Sequence, residues 1–219
     1  MNHETFKTIV VLAIQVAMIG CLGWSIRPTL RNPRYRIVVS GLRARHFGMG
    51  LAIIIPTLIA GAFLVAEVPL MDIGWFMFIG GGSNVALATP ASESAPSVSK
   101  ALPLALIAIV ALIAPMAAFR EERMFRRGTE RQSARRRWTR QVIFGLVHMI
   151  MGIPLGAALS LSFAGGGLMR VYRRRFATTR SRHQAILEST RTHLAYNLVM
   201  LILVTAGTMI LLLHHTGAA

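Results

Sequence analysis

The chain has 219 residues and a formal net charge of +16, yet only 15% of its residues are charged and 54% are hydrophobic, against roughly 25% charge in soluble domains. Its mean hydropathy is +0.56, and the length leaves no room for a soluble domain beside a membrane domain. A single cysteine, Cys21, excludes an internal disulfide framework and a multi-cysteine zinc site.

The first apolar run, residues 9–26, is short enough to suggest a signal peptide, and Met18-Ile19-Gly20-Cys21 resembles a degraded lipoprotein cleavage box. Six arginines follow at once and resist export, and no small-x-small cleavage site precedes them. The run is expected to remain as a helix. Further apolar stretches occupy residues 47–66, 68–88 and 101–119. The second of these carries Pro69, Asp72 and Gly80-Gly81-Gly82, so a tilted, broken or re-entrant segment is expected there. Residues 89–100 read as a loop from their prolines and serines. Beyond them lie residues 141–169, interrupted at Gly152-Ile153-Pro154-Leu155-Gly156, and residues 194–213.

Crossing a hydrocarbon core of ~30 Å takes ~20 apolar residues of helix, and backbone in lipid must satisfy its own hydrogen bonds. The expected fold is therefore all-α and polytopic, with about six to seven transmembrane or half-spanning helices. The expected division is residues 1–100, N-terminal helices of unassigned role, and residues 101–219, a helical core.

Every arginine falls in one of three blocks, 27–45, 120–140 and 170–191, each beside an apolar stretch. That placement is what the positive-inside rule counts, so anionic headgroups rather than nucleic acid are the expected partner, with the blocks on the cytoplasmic side. Keeping all blocks on one side needs an even number of crossings between them. Three stretches separate the first two blocks, so one fails to span, and residues 68–88 are the expected one. The 29 residues 141–169 are too many for one span and too few for two. A short hairpin folded at Pro154 is expected, with a single long tilted helix as the rival.

Polar residues in such segments are costly and are functional candidates. Glu122 and Arg126 are one turn apart with the acid N-terminal, the favourable i,i+4 order, and Glu121 points about 100° away. Phe144 and His148 are one turn apart, as are His193 and Asn197. In one-letter terms these are E-E-x-x-x-R (Glu121, Glu122, Arg126), F-x-x-x-H (Phe144, His148) and H-x-x-x-N (His193, Asn197).

In order and spacing the three motifs resemble those of the CPBP family, the CaaX-protease and bacteriocin-processing group of glutamic intramembrane endopeptidases, over roughly residues 101–213. The resemblance implies that Glu121 and His148 activate the water and that His193 and Asn197 hold the oxyanion. Glu122 and Arg126 would orient them, and Phe144 would pack beside His148. It implies metal-independent hydrolysis without a cofactor, acting on a peptide or membrane-protein segment. The site is expected at the cytoplasmic face of a bacterial-type cytoplasmic membrane.

Other readings of the same residues stay open. Glu121, Glu122 and Arg126 also make sense as an interfacial ion cluster, His148 as a packing histidine bonded to a carbonyl, and His193 with Asn197 as a helix anchor. Glu121, His148 and His193 are plausible zinc ligand types, although no H-E-x-x-H helix is present. A non-catalytic membrane protein of the same fold, as in bacteriocin immunity, is the alternative function, with a small channel or transporter third. His3, His46, His183, His214 and His215 are expected to be solvated. Gly165-Gly166-Gly167 and Gly152 with Gly156 are expected to permit close helix packing or a bend. Trp24, Trp75 and Trp138 are expected to anchor at the membrane interface.

Overall fold

The structure is a computed structural model that describes residues 3–80 and 97–215, with side chains over 5–78 and 101–210. Among the described residues every regular element is helical: α1 (His3–Arg31), α2 (Pro33–Ser40), α3 (Ala44–Glu67), α4 (Met77–Gly80), α5 (Ser97–Phe125), α6 (Ala134–Val147), α7 (Leu155–Thr179) and α8 (Arg182–His215). Four helices are long and apolar enough to cross a membrane, over Thr5–Arg31, Ala44–Glu67, Ala101–Arg131 and Arg182–Ile210. The outward face of α3 shows why a bilayer suits the fold. Leu51, Ile55, Ile59 and Phe63 recur every four residues and all are exposed, a continuous apolar stripe that water would penalise and lipid would not.

The turns follow from local chemistry. Asn32 stops α1 because Pro33 disfavours helical backbone before it, and the Asn32 side chain then caps α2 by accepting the Arg34 N–H at 3.0 Å. Gly128, in the left-handed region at φ 87°, ends the α5 segment. Arg140 reaches back to donate to the Met124 and Arg127 carbonyls, two acceptors that the helix end leaves open.

Residues 141–169 do not form one helix. α6 passes into a short 3-10 turn, His148–Met151, Gly152 takes φ 84°, and Pro154 precedes the first residue of α7. The chain reverses there, and α6 returns alongside α7 through glycine contacts. A Cβ on Gly145 would lie 2.3 Å from the Ala158 carbonyl oxygen, and Gly165 and Gly166 receive Phe144 and Trp138. The 14 residues of α6 span about 21 Å, short of a full crossing.

Residues 68–76 are likewise not a helix but a series of turns leading into α4; residues 81–96, with the rest of the expected weak stretch and most of the expected loop, lie outside the described residues. These turns have a structural task. Pro154 brings no side-chain cap to α7, and the open N–H groups of Leu155 and Gly156 donate instead to the carbonyls of Ile73 at 2.9 Å and Met71 at 2.7 Å. Trp75 Nε1 donates to the Met149 carbonyl at 2.6 Å. Two interruptions of helix thus complete one another at one end of the bundle.

The core runs along α5, α7 and α8. Ala114, Met116 and Phe119 pack with Tyr172, Ile186 and Leu194 and with Val38 of α2. α3 closes the other side through Ile53 and Ile54 on Ala164, Leu168 and Tyr196, where Gly50 meets the Tyr196 backbone.

The arginine-rich blocks gather at the opposite end from the Pro154 turn. Arg45 and His46 face Glu188 at 3.0 and 3.4 Å, and Arg182 faces Glu130 at 2.6 Å. Arg34 and Arg123 both lie over the Phe119 ring. His46 corrects an expectation: it is fully buried rather than solvated. Its Nδ1 accepts the Arg43 N–H at the start of α3, and its far side turns inward to Glu188. His183 is exposed as expected; the side chains of His3, His214 and His215 are outside the described set.

Candidate active site

α5 and α8 are antiparallel neighbours, and their facing turns carry the first and third motifs. Glu122 is fully buried. Its Oε2 accepts a hydrogen bond from Ser189 Oγ at 2.5 Å, and its Oε1 accepts from His193 Nδ1 at 3.0 Å. One turn along α5, Arg126 Nε stands 3.5 Å from the same carboxylate. A buried charge persists only with a partner, and Arg126 has two: Glu122, and the face of Phe144, whose ring centroid is 4.1 Å from the guanidinium carbon. No N–H of that buried guanidinium makes a hydrogen bond among the described residues.

Phe144 joins the second motif to the others. Its ring takes edge contacts from Phe125 at 5.2 Å, His148 at 4.9 Å and His193 at 5.8 Å between centroids. Gly165 allows this, because a side chain there would press on Phe144 and Gln141. His148 sits in the 3-10 turn after α6 rather than in mid-helix, since Gly152 and Pro154 end the helix early. Its Nδ1 is 2.7 Å from the Phe144 carbonyl oxygen. A carbonyl only accepts, so the proton belongs on Nδ1 and Nε2 is left as a base.

Glu121 behaves differently from its neighbour. Its side chain is 28% exposed, and its Oε2 stands 3.7 Å from His193 Nε2, too far for a direct hydrogen bond. That oxygen is itself buried and has no hydrogen-bond partner among the described residues. His193 therefore lies between the two glutamates, bonded to one and open toward the other.

The structure brings together Glu121, Glu122, Arg126, Phe144 and His193, with His148 on the far edge of Phe144. It places no hydrogen bond or ion pair between Glu121 and His148. Asn197, half-buried one turn beyond His193, hydrogen-bonds to none of the cluster. Among the described residues no group of three His, Cys, Asp or Glu side chains is placed to hold a metal ion.

Ser189 is the participant that motif reading misses. It lies four residues before His193, so Ser189, His193 and Asn197 form one stripe at helical spacing. That S-x-x-x-H-x-x-x-N pattern was the available signal. Compared with known proteins, the chain matches no family model, no curated protein and no solved structure.

Proposed function

We propose that the chain is an intramembrane endopeptidase of the glutamic type that its motifs resemble. The observation that carries this reading is the His193 imidazole set between Glu121 and Glu122 and resting on the same Phe144 ring as His148. Residues from three motifs that are not neighbours in the sequence meet around one aromatic ring. A purely structural ion pair would require only Glu122 and Arg126.

In this mechanism Glu121, aided by Nε2 of His148, takes a proton from water as the water oxygen bonds to the scissile carbonyl carbon. The carbonyl oxygen gains negative charge, and donors from His193 and Asn197 meet it; losing one such donor typically costs about 10²–10³ in turnover. Collapse breaks the C–N bond, and the proton returns to the amine. For Nε2 of His193 to donate, the ring must carry both protons, with Glu122 accepting from Nδ1 and the Glu121 carboxylate facing Nε2. Arg126 and Ser189 hold Glu122 in place. The substrate is a peptide or membrane-protein segment. By the positive-inside rule the site opens toward the cytoplasm, and the reaction uses no cofactor.

The second reading is a binding protein of the same fold without catalysis. The absence of a direct Glu121–His148 contact favours it, because the buried Glu122 network would stabilise the bundle whether or not chemistry follows.

Detergent-purified protein presented with a library of quenched fluorescent peptides separates the two. Under the protease reading Glu121→Ala and His148→Ala each abolish cleavage, and the double variant loses little more, since residues acting as a unit are non-additive. Asn197→Ala keeps a residue of activity, and chelators have no effect. Full turnover by Glu121→Ala would falsify the glutamic mechanism, and loss on chelation restored by zinc would favour a metal enzyme.

A further inference from the structure

Outside the candidate active site, a pocket of 340 Å³ at the arginine-rich end gathers four arginines. Arg34 from α2, Arg123 from the last turn of α5, Arg127 from the turn after it, and Arg182 from the start of α8 surround a floor of buried Phe119 and Ile186. No carboxylate lines it. Arg182 is paired with Glu130, whereas Arg34, Arg123 and Arg127 have no acidic partner among the described residues, and the first two are held against the Phe119 ring at 5.6 and 5.8 Å.

Ordinary surface arginines spread into solvent to escape one another. Here an aromatic platform holds two of them together, and three chain segments converge to complete the ring. The pocket is separate from the glutamate site. Phe119 and Arg123 lie one turn apart on one face of α5, Arg127 follows in the turn just past its end, and Glu121 is about 200° around the helix from Phe119 and from Arg123. On α8, Ile186 is two turns, about 10 Å, nearer the arginine-rich end than His193.

We propose that this pocket binds a phosphate group. Several guanidinium forks lining one pocket match the several oxygens of a phosphate better than the two of a carboxylate. The apolar floor suits the ester carbon of a phospholipid as well as it suits exclusion of water. The phosphate can come from an anionic lipid headgroup at the membrane surface or from a soluble phosphate.

The test uses the full chain in neutral detergent. Retention of phosphatidic acid and phosphatidylglycerol, with phosphatidylcholine as reference, is read by native mass spectrometry, and binding of inorganic phosphate by calorimetry. Arg123→Gln with Arg127→Gln is compared with Arg135→Gln with Arg136→Gln, which removes equal charge from a neighbouring exposed site. The pocket pair should lose about ten-fold or more in affinity, as expected for charge-assisted hydrogen bonds, and the control pair little.

Arg123→Lys with Arg127→Lys keeps the charge but not the fork and should fall between wild type and the glutamine pair. Binding of the lipids alone identifies a headgroup site, and binding of inorganic phosphate as well identifies a soluble source. Equal losses in the pocket and control pairs, or lysine variants that bind like wild type, would show bulk electrostatics and overturn the proposal. All four positions are exposed, so the variants should keep the wild-type elution profile. The result is independent of peptide cleavage.

Discussion

A carboxylate withdrawn entirely from solvent, as Glu122 is, needs each of its contacts. It accepts from Ser189 and His193 and balances Arg126. Ser189→Ala removes one donor and leaves an oxygen of a buried charge short of a partner, which should lower stability by about 1–3 kcal/mol. Glu122→Gln leaves the Arg126 charge buried and uncompensated, a loss of about 3–5 kcal/mol. Thermal unfolding in detergent, followed by circular dichroism, measures both. If Ser189→Ala unfolds with the wild type, Ser189 does not hold this carboxylate. In the proposed mechanism the same serine positions His193 through Glu122, so Ser189→Ala should lower kcat more than it raises KM. At this scale the sequence was partly legible: the i,i+4 spacing of Glu122 with Arg126 and of Phe144 with His148 follows from one helix alone. Ser189 was not legible as a partner of Glu122, because 67 residues separate the two.

The α6–α7 hairpin depends on where side chains are missing. Gly145 lies against the backbone oxygen of Ala158, which cannot move aside as a flexible side chain could. Gly145→Ala should therefore cost about 1–3 kcal/mol as overpacking. Gly152→Ala forces an L-residue into the left-handed region at φ 84°, costing about 1–2 kcal/mol. Gly20→Ala in α1, with nothing within 4 Å, is the matched control and should be neutral or slightly stabilising. Unfolding midpoints of the three variants check the order; a Gly145→Ala protein as stable as Gly20→Ala would contradict the close packing of α6 on α7. Pro154 and Gly152 announced this reversal locally. The acceptors for the first N–H groups of α7 could not be read there, since Met71 and Ile73 are more than eighty residues earlier in the chain.

At the scale of the molecule, contacts between the arginine blocks make a topological statement. Arg34 and Arg123 share the Phe119 ring, and Glu188 receives Arg45 while Glu130 receives Arg182. All three blocks therefore occupy one end of the bundle, with residues 68–76 and the Pro154 turn at the other. In a Cys21→Ser background, single cysteines at Arg36→Cys and Arg136→Cys should label from the same face of sealed vesicles and Asp72→Cys from the opposite face. Labelling of the first two from different faces would refute this arrangement.

Composition and periodicity by themselves determined the helical class and the apolar runs that became α1, α3, α5 and α8, and they favoured a reversal at Pro154 over one long tilted helix. Those features depend on residues within a few turns of one another, where helix geometry and transfer into lipid decide the outcome. Tertiary structure alone decided that His46 is buried against Glu188 and that His193 stands between two glutamates whose side chains leave α5 about 100° apart. It also decided that four arginines close around Phe119. These arrangements join residues that are distant in the chain, and they depend on which helix faces pack together, which helical periodicity does not encode.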